Sequence, residues 1–279
     1  MASSSITNGE LNLSAEIENI RKDVRMCVET DSIMSTAWIL VYILPFVFAI
    51  VWVSIFIVTM ISFIATVTPT PPPDQPIPPT LFEPLFTLIA FVYLFAIITF
   101  VLNLVIIYKL VKRRNTHFKR QIFLFEDIVA TIKAIATKKG VDLEFGLASG
   151  ARTVREVKAE ETEKGAMLWA ILSAFIFPAI WYVWYFLTKD FYKHERREDG
   201  FWEDMSRMLD KSGIKFVVPR RVETLPERNF VLYLILTIIT AGLFGIYWLY
   251  ILLKDPNQHF LYHRQIEHQL LSTLETVTV

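Results

Sequence analysis

Apolar and polar positions in this chain separate into long blocks before any finer period is visible. Ser32 to Pro73 contains no charged residue, and its apolar part, residues 37–67, runs for about 30 residues where about 20 suffice to cross a bilayer. Thr68 to Pro79 is a proline-rich connector with one charge, Asp74, and reads as a stiff turn because proline lacks an amide donor and holds the chain extended. A second apolar run covers Leu81 to Val111, with Glu83 and Pro84 suited to a first helical turn. The pattern predicts two long transmembrane helices joined by that connector.

Outside these blocks the period is helical. Residues 1–12 read as a disordered leader, after which Leu13, Ile17, Ile20, Val24 and Cys27 recur at spacings of four and three. Phe125, Ile128, Val129, Ile132 and Ile135 form another stripe, closed by Lys138-Lys139-Gly140, a helix-end signal. Residues 144–164 read as a charged linker whose end, Val154 to Lys164, is a candidate polar helix. Two shorter apolar segments follow, at 166–187 and 230–253. The first is interrupted at Phe177-Pro178 and the second at Thr240 to Gly245, so Pro178, Gly242 and Gly245 are the expected helix breaks.

These segments repeat. Tyr250, Leu252, Lys254, Asp255 and His259 are matched in order and spacing by Tyr185, Leu187, Lys189, Asp190 and His194, and a fainter copy reads Tyr108, Leu110, Lys112 and His117. Glu203-Asp204 stands to His194 as Glu126-Asp127 stands to His117, which points to duplication. Five regions result: an N-terminal segment with an amphipathic helix (1–34), a transmembrane hairpin (35–111), a helical segment (112–164) and two repeat units (165–228 and 229–279). The fold class expected is all-α: a polytopic membrane protein with two long transmembrane helices, two broken apolar segments, re-entrant or kinked, and cytoplasmic amphipathic helices.

Composition agrees with the blocks. The chain has 279 residues, 53% of them hydrophobic and 14% aromatic, with a mean hydropathy of +0.42, outside the range of ordinary soluble domains. Lys+Arg and Asp+Glu both number 28, so no net field favours nucleic acid. The single cysteine, Cys27, excludes an intrachain disulfide and a cysteine-based zinc site. No removable signal peptide is expected. Basic residues flank the first two runs on the same side, Arg21, Lys22 and Arg25 before and Lys109, Lys112, Arg113 and Arg114 after, which predicts cytoplasmic termini and an external proline loop. Residues 188–228 are equally rich in Lys and Arg. If segments 166–187 and 230–253 crossed, that region would lie outside against the positive-inside tendency, so both are expected to turn back within one leaflet; a proline-kinked crossing is the rival.

Candidate chemistry is sparse. Tyr185/Lys189 and Tyr250/Lys254 lie four apart on one helical face and read, with His194 and His259, as an interfacial collar. His259, His263 and Glu267 also share a face that suits zinc or iron, but two histidines at helical spacing carry little metal specificity; structural or interfacial histidines are expected, with no metal and no cofactor. Asp255-Pro256 reads as an N-cap with proline at the first helical position. The paired acids 126–127 and 203–204 read as solvated charges or salt-bridge partners, and Asn103 as a hydrogen-bonder to a neighbouring helix. No phosphate loop or nucleophile motif is present.

The stretch Gly245-Ile246-Tyr247-Trp248, followed by Tyr250, Lys254-Asp255 and His259, resembles the prokaryotic membrane family called domain of unknown function 4234, mainly over residues 238–271. That resemblance implies a prokaryotic cell membrane location and brings no activity. The expectation is a non-enzymatic, multi-pass scaffold with the lipid bilayer as partner, self-associating or holding a cytoplasmic or membrane protein, and shaping the membrane through leaflet-inserted hairpins. A transporter or channel component built on broken helices and a metal-binding membrane enzyme are the alternatives.

Overall fold

A computed structural model describes residues 2–67 and 82–277; the proline-rich connector expected at 68–79 lies outside them. The described residues form helices without strands: α1 (Ala2–Thr30), α2 (Leu40–Val67) after a 3-10 turn at Thr36–Ile39, α3 (Glu83–Lys139), α4 (Glu144–Glu160), α5 (Ala166–Phe175), α6 (Phe177–Lys211), α7 (Phe230–Ile239) and α8 (Leu243–Glu275). The stretches Thr36–Thr66 and Glu83–Lys139 are long and apolar enough to cross a membrane. Their large apolar side chains are bare: Ile50 is 70% and Phe86 69% exposed, which a core helix of a soluble protein would not tolerate.

Several boundaries differ from the sequence pattern. The leader expected to be disordered is helical from Ala2, because α1 is continuous through Thr30. The transmembrane run and the following polar helix are one 57-residue rod, α3, which ends at Gly140 in the left-handed conformation. The expected linker is mostly α4, reaching Glu160. Asp255-Pro256 does not start a helix; Pro256 lies inside α8. Proline at 256 cannot donate to the Leu252 carbonyl one turn back, and Arg113 Nη2 donates to that oxygen instead, at 2.6 Å. Asn103 bonds the Thr99 carbonyl of its own helix at 2.9 Å rather than a neighbour, since an amide one turn along reaches it directly.

Three layers of buried side chains stack along α3. Trp184, Trp248, Leu249, Leu253 and Val111 pack next to the bare helices. Phe118, Phe191, Leu225 and Phe260 form a thin middle layer. The stripes of α1 and α3 meet Trp202, Met205, Leu209 and Ile266 in the largest core. Residues 195–225 lie against residues 115–145 throughout: Phe125 stacks on Phe201 at 4.0 Å, and Lys139 Nζ donates to the Ser212 carbonyl at 2.6 Å.

The two short apolar segments break where glycine and proline allow. α5 stops at Phe175, and α6 resumes with Pro178 in its first turn. Between α7 and α8, Gly242 takes φ +93, and its amide closes on the Thr237 carbonyl at 2.8 Å. Thr240 Oγ1 accepts from Phe244 N at 2.9 Å, so the bend satisfies its own backbone groups. Gly245 lies in the first turn of α8 against Trp184 and Thr237. The ends of each broken segment lie side by side. Arg228 pairs with Asp255 across the second; across the first, Arg114 bonds Asp190 and the Thr162 carbonyl, at 2.9 and 2.6 Å.

Two glycine substitutions separate these roles. Gly242→Ala puts a Cβ into a left-handed position 3.3 Å from Phe46 Cζ and should cost about 1–2 kcal/mol. Gly200→Ala, inside α6 with open space around its Cβ, should stabilise by about 0.5–1 kcal/mol. Thermal unfolding in detergent should therefore shift in opposite directions.

Candidate metal centre

The repeat places one histidine after each collar, and helix packing brings them together. His117 on α3, His194 on α6 and His259 on α8 meet with His263, one turn further along α8, and one nitrogen from each lies within 4.8 Å of the others. None is more than 2% exposed. His194 and His259 are therefore turned inward, not part of a surface collar: each lies five residues past its collar lysine, about 140° around the helix, on the face that the bundle covers. The other collar residues lie outside the cluster. Tyr185 is exposed and Lys189 pairs with Glu227; Tyr250 is half-buried and Lys254 pairs with Glu223.

Each imidazole is braced through Nδ1 by a carboxylate. His117 Nδ1 meets Asp31 at 3.0 Å, His194 Nδ1 meets Glu161 at 2.8 Å, His259 Nδ1 meets Glu195 at 3.3 Å, and His263 Nδ1 meets Glu267 at 3.0 Å. For His117, His194 and His259, a proton donated from Nδ1 to the carboxylate leaves Nε2 with a bare lone pair, the tautomer a metal takes; His263 instead has a carboxylate at both nitrogens, Glu267 and Glu198. The Nε2 atoms turn to one another. Those of His117 and His259 are 3.2 Å apart. Glu198 Oε2 lies 2.8 Å from His263 Nε2 and 3.6 Å from the Nε2 of both His194 and His259. His194 Nε2 has no hydrogen-bond partner among the described residues.

A further shell fixes the carboxylates. Arg120 spans Asp31 and Glu267 at 2.6 and 2.8 Å. Arg221 holds Glu195 and Glu198 at 3.4 and 3.0 Å, Trp202 Nε1 donates to Glu198 at 2.8 Å, and Arg197 pairs with Glu161. Five buried carboxylates thus face three guanidinium groups, an excess of two negative charges, one of which a proton on His263 offsets. Burial lowers the His117 pKa to about 4 and keeps His259 well below its ordinary value, with the charge of His263 adding to the effect. Burial opposes a proton on His263 too, but Glu198 and Glu267 on either side outweigh it and raise the pKa to about 9. Glu198 stays well below the ordinary carboxylate range: His263 and Arg221 overcome its burial.

The donor set, four nitrogens and a carboxylate oxygen, suits zinc, iron or another borderline divalent ion. Ligands about 2.0–2.1 Å from a tetrahedral centre lie about 3.4 Å apart; the His117–His259 and Glu198 spacings fall near that value, while the four nitrogens together spread to 4.8 Å. His117, His194, His259, His263 and Glu267 stand out in the sequence, where they are expected to be structural or interfacial rather than metal ligands, whereas no spacing marks Asp31, Glu161, Glu195 or Glu198. The available signal was the repeat, since equivalent positions of units packed about a common axis converge. The paired acids are peripheral: Glu126 pairs with Lys158, Glu203 with Arg207, and Asp204 accepts from Ser149.

Comparison with family models, with curated proteins and with solved structures found no match.

Asp23 borders this network and provides a pH test. Burial, then the neighbouring Asp127, raises its pKa from an ordinary 3.8 to about 7. Folding thus favours its protonated form, and its destabilising effect grows as pH rises from about 4 to about 7 and is constant above. Asp23→Asn removes that effect. The variant should melt higher than the native chain at pH 8, by a margin that narrows at pH 5 and disappears near pH 4.

Proposed function

We propose that this protein is a membrane-anchored metal-binding protein whose buried four-histidine centre, completed by Glu198, holds one divalent transition-metal ion. The observation that carries this reading is the pair His117 and His259. With both Nδ1 atoms committed to carboxylates, two bare lone pairs face each other across 3.2 Å in a site closed to water. Only a cation between or beside them, a proton or a metal, relieves that contact, and the negative excess, two charges once His263 gives up its proton, favours a divalent one. Binding would displace the proton that His263 otherwise carries. A shell with four protein nitrogens and an oxygen, closed to solvent, fits a structural role better than a catalytic one, for which an open position is needed. The ion ties α3, α6 and α8 directly and α1 through Asp31.

The test is elemental analysis of full-length protein purified in detergent without a histidine tag. About one zinc, iron or manganese ion per chain is expected, with His194→Asn and Glu198→Gln each losing most of it. Metal should also raise the melting temperature, by the equivalent of about 2.7 kcal/mol at a hundredfold excess over Kd. The reading fails if neither purified nor zinc-, iron(II)- and manganese-treated protein retains an ion or gains stability.

The scaffold reading concerns how the anchor is built, and one observation favours it. The Arg228–Asp255 pair and the Arg114 contacts bring both ends of each broken segment to the same level. Re-entrant hairpins, entering and leaving from the cytoplasmic side, have this arrangement. Wedged into one leaflet beside the crossing helices α2 and α3, they would favour bending of the membrane. Val222, fully exposed in the connector between the repeats, reports the side. In a Cys27→Ala background, Val222→Cys should react with a membrane-impermeant maleimide only after cells are opened. Labelling in intact cells would put residues 188–228 outside and end the hairpin topology.

A further inference from the structure

The bends of the two broken segments and both long helices meet at a groove of about 420 Å³. Tyr42 and Phe46 of α2, Trp184 of α6, and Thr237, Gly242 and Gly245 at the second bend line it, with Asn103 of α3 at its side. Most of this lining is apolar, as lipid contact requires. Two polar atoms are not accounted for by that description. Tyr42 Oη and Trp184 Nε1 are buried and have no hydrogen-bond partner among the described residues. Their rings lie 5.5 Å apart, so both donors belong to one locus. A buried donor left unpaired is costly, and lipid tails offer no acceptor.

Charge sits at a definite height above these donors. Trp38, one helical turn before Tyr42 on α2, lies under Lys109 Nζ at 5.5 Å. Lys109 is exposed and has no acidic partner among the described residues. One helical turn places Tyr42 about 6 Å deeper than Trp38. Trp184 precedes the collar residue Lys189 by five positions and lies about 7 Å deeper than that lysine. The headgroup and interfacial region of a bilayer is about 5–8 Å thick on each side. The lysine therefore sits at the height of a phosphate and the two donors at the height of ester carbonyls, with the apolar groove continuing inward at the height of acyl chains.

We propose that this groove binds one anionic glycerophospholipid: its phosphate on Lys109, an ester carbonyl accepting from Tyr42 Oη and Trp184 Nε1, and one acyl chain along Phe46, Thr237 and the Gly242 bend. Glycine at 242 and 245 matters here for space as well as for backbone conformation, since side chains at those positions would project toward Phe46 and Trp184. This assignment rests on the membrane-spanning reading of α2 and α3 and does not depend on the ion.

Native mass spectrometry of the full-length protein, titrated with phosphatidylglycerol and with phosphatidylcholine of the same chains, tests it. One retained phosphatidylglycerol per chain is expected, bound about tenfold more tightly than phosphatidylcholine. Tyr42→Phe, which removes only the hydroxyl, should weaken both lipids about three- to tenfold. Lys109→Gln, an exposed position that leaves the fold intact, should abolish the preference for phosphatidylglycerol. Metal content should stay at the native value in both variants, and the melting temperature should fall in neither. A graded series of adducts with no first tight one, or equal affinities in native protein, Tyr42→Phe and Lys109→Gln, would mean annular lipid only and overturn the assignment. Loss of metal from the native protein would leave these lipid outcomes readable, so failure of the ion and failure of the lipid site are separate results.

Discussion

The layer of imidazoles and carboxylates between two apolar cores constrains everything around it. It is dry, it contains charges of both signs, and its excess is negative. Burying ionised groups is tolerable only when each is paired and hydrogen-bonded, because desolvation costs several kcal/mol per ion. That requirement explains why the layer recruits guanidinium groups from different elements. Arg120 of α3 bridges α1 and α8, while Arg221 reaches in from the connector after α6. The connector has no regular structure, yet Leu225 is buried and its amide donates to Glu195 at 2.7 Å. A segment that would otherwise be a loose loop is held down by the charge it neutralises.

The recurring motif of tyrosine, leucine, lysine and histidine supplies the geometry. Each unit delivers a helix that leaves an apolar segment, passes an aromatic and lysine boundary, and presents a histidine to the inside. The second unit adds Glu198 and the third adds His263 and Glu267, each one turn beyond an earlier member of its helix. The motifs differ where the charge matters: α3 carries Gln121 where α6 has Glu198 and α8 has His263, four residues past the histidine in each, and Arg120 and Gln121 both donate to Glu267. Identical copies would have assembled like charges. The differences turn a ring of acids into a network whose excess is small and negative.

Much of the architecture was legible in the sequence because it depends on long-range composition. Two long apolar runs mark the two long helices, and the glycine and proline breaks at Gly242 and Pro178 fall where the helices bend. Stripes such as Leu13, Ile17, Ile20 and Val24 coincide with buried positions. Boundaries were harder to read for local reasons. Pro256 looked like a helix start, and only a tertiary contact from Arg113 makes an interior proline tolerable there. The centre was the least legible part. His194 and Glu161, or His117 and Asp31, meet only through packing, and no spacing along the chain encodes such a contact. The repeat was the one available clue, and it identified equivalent histidines without saying that the equivalent faces turn inward.

Rigid helices join the membrane end of the molecule to this layer. α8 runs from the Gly242 bend to Glu267 without interruption, and Gly245 and His259 are about 21 Å apart along it. α6 likewise carries Trp184 beside the groove and His194 in the centre, about 15 Å further on. Trp248 and Thr188 lock these two helices midway through a 3.1 Å hydrogen bond. A tilt of the apolar end of α8 must therefore be absorbed at Pro256, where Arg113 and Asn257 brace α8 against α3, or be passed on to the imidazoles. Because an ion tolerates little change in ligand spacing, it would resist such tilts. The helices that carry the imidazoles thus also carry the bends at the apolar end, and the Trp248–Thr188 contact ties the two helices together between them.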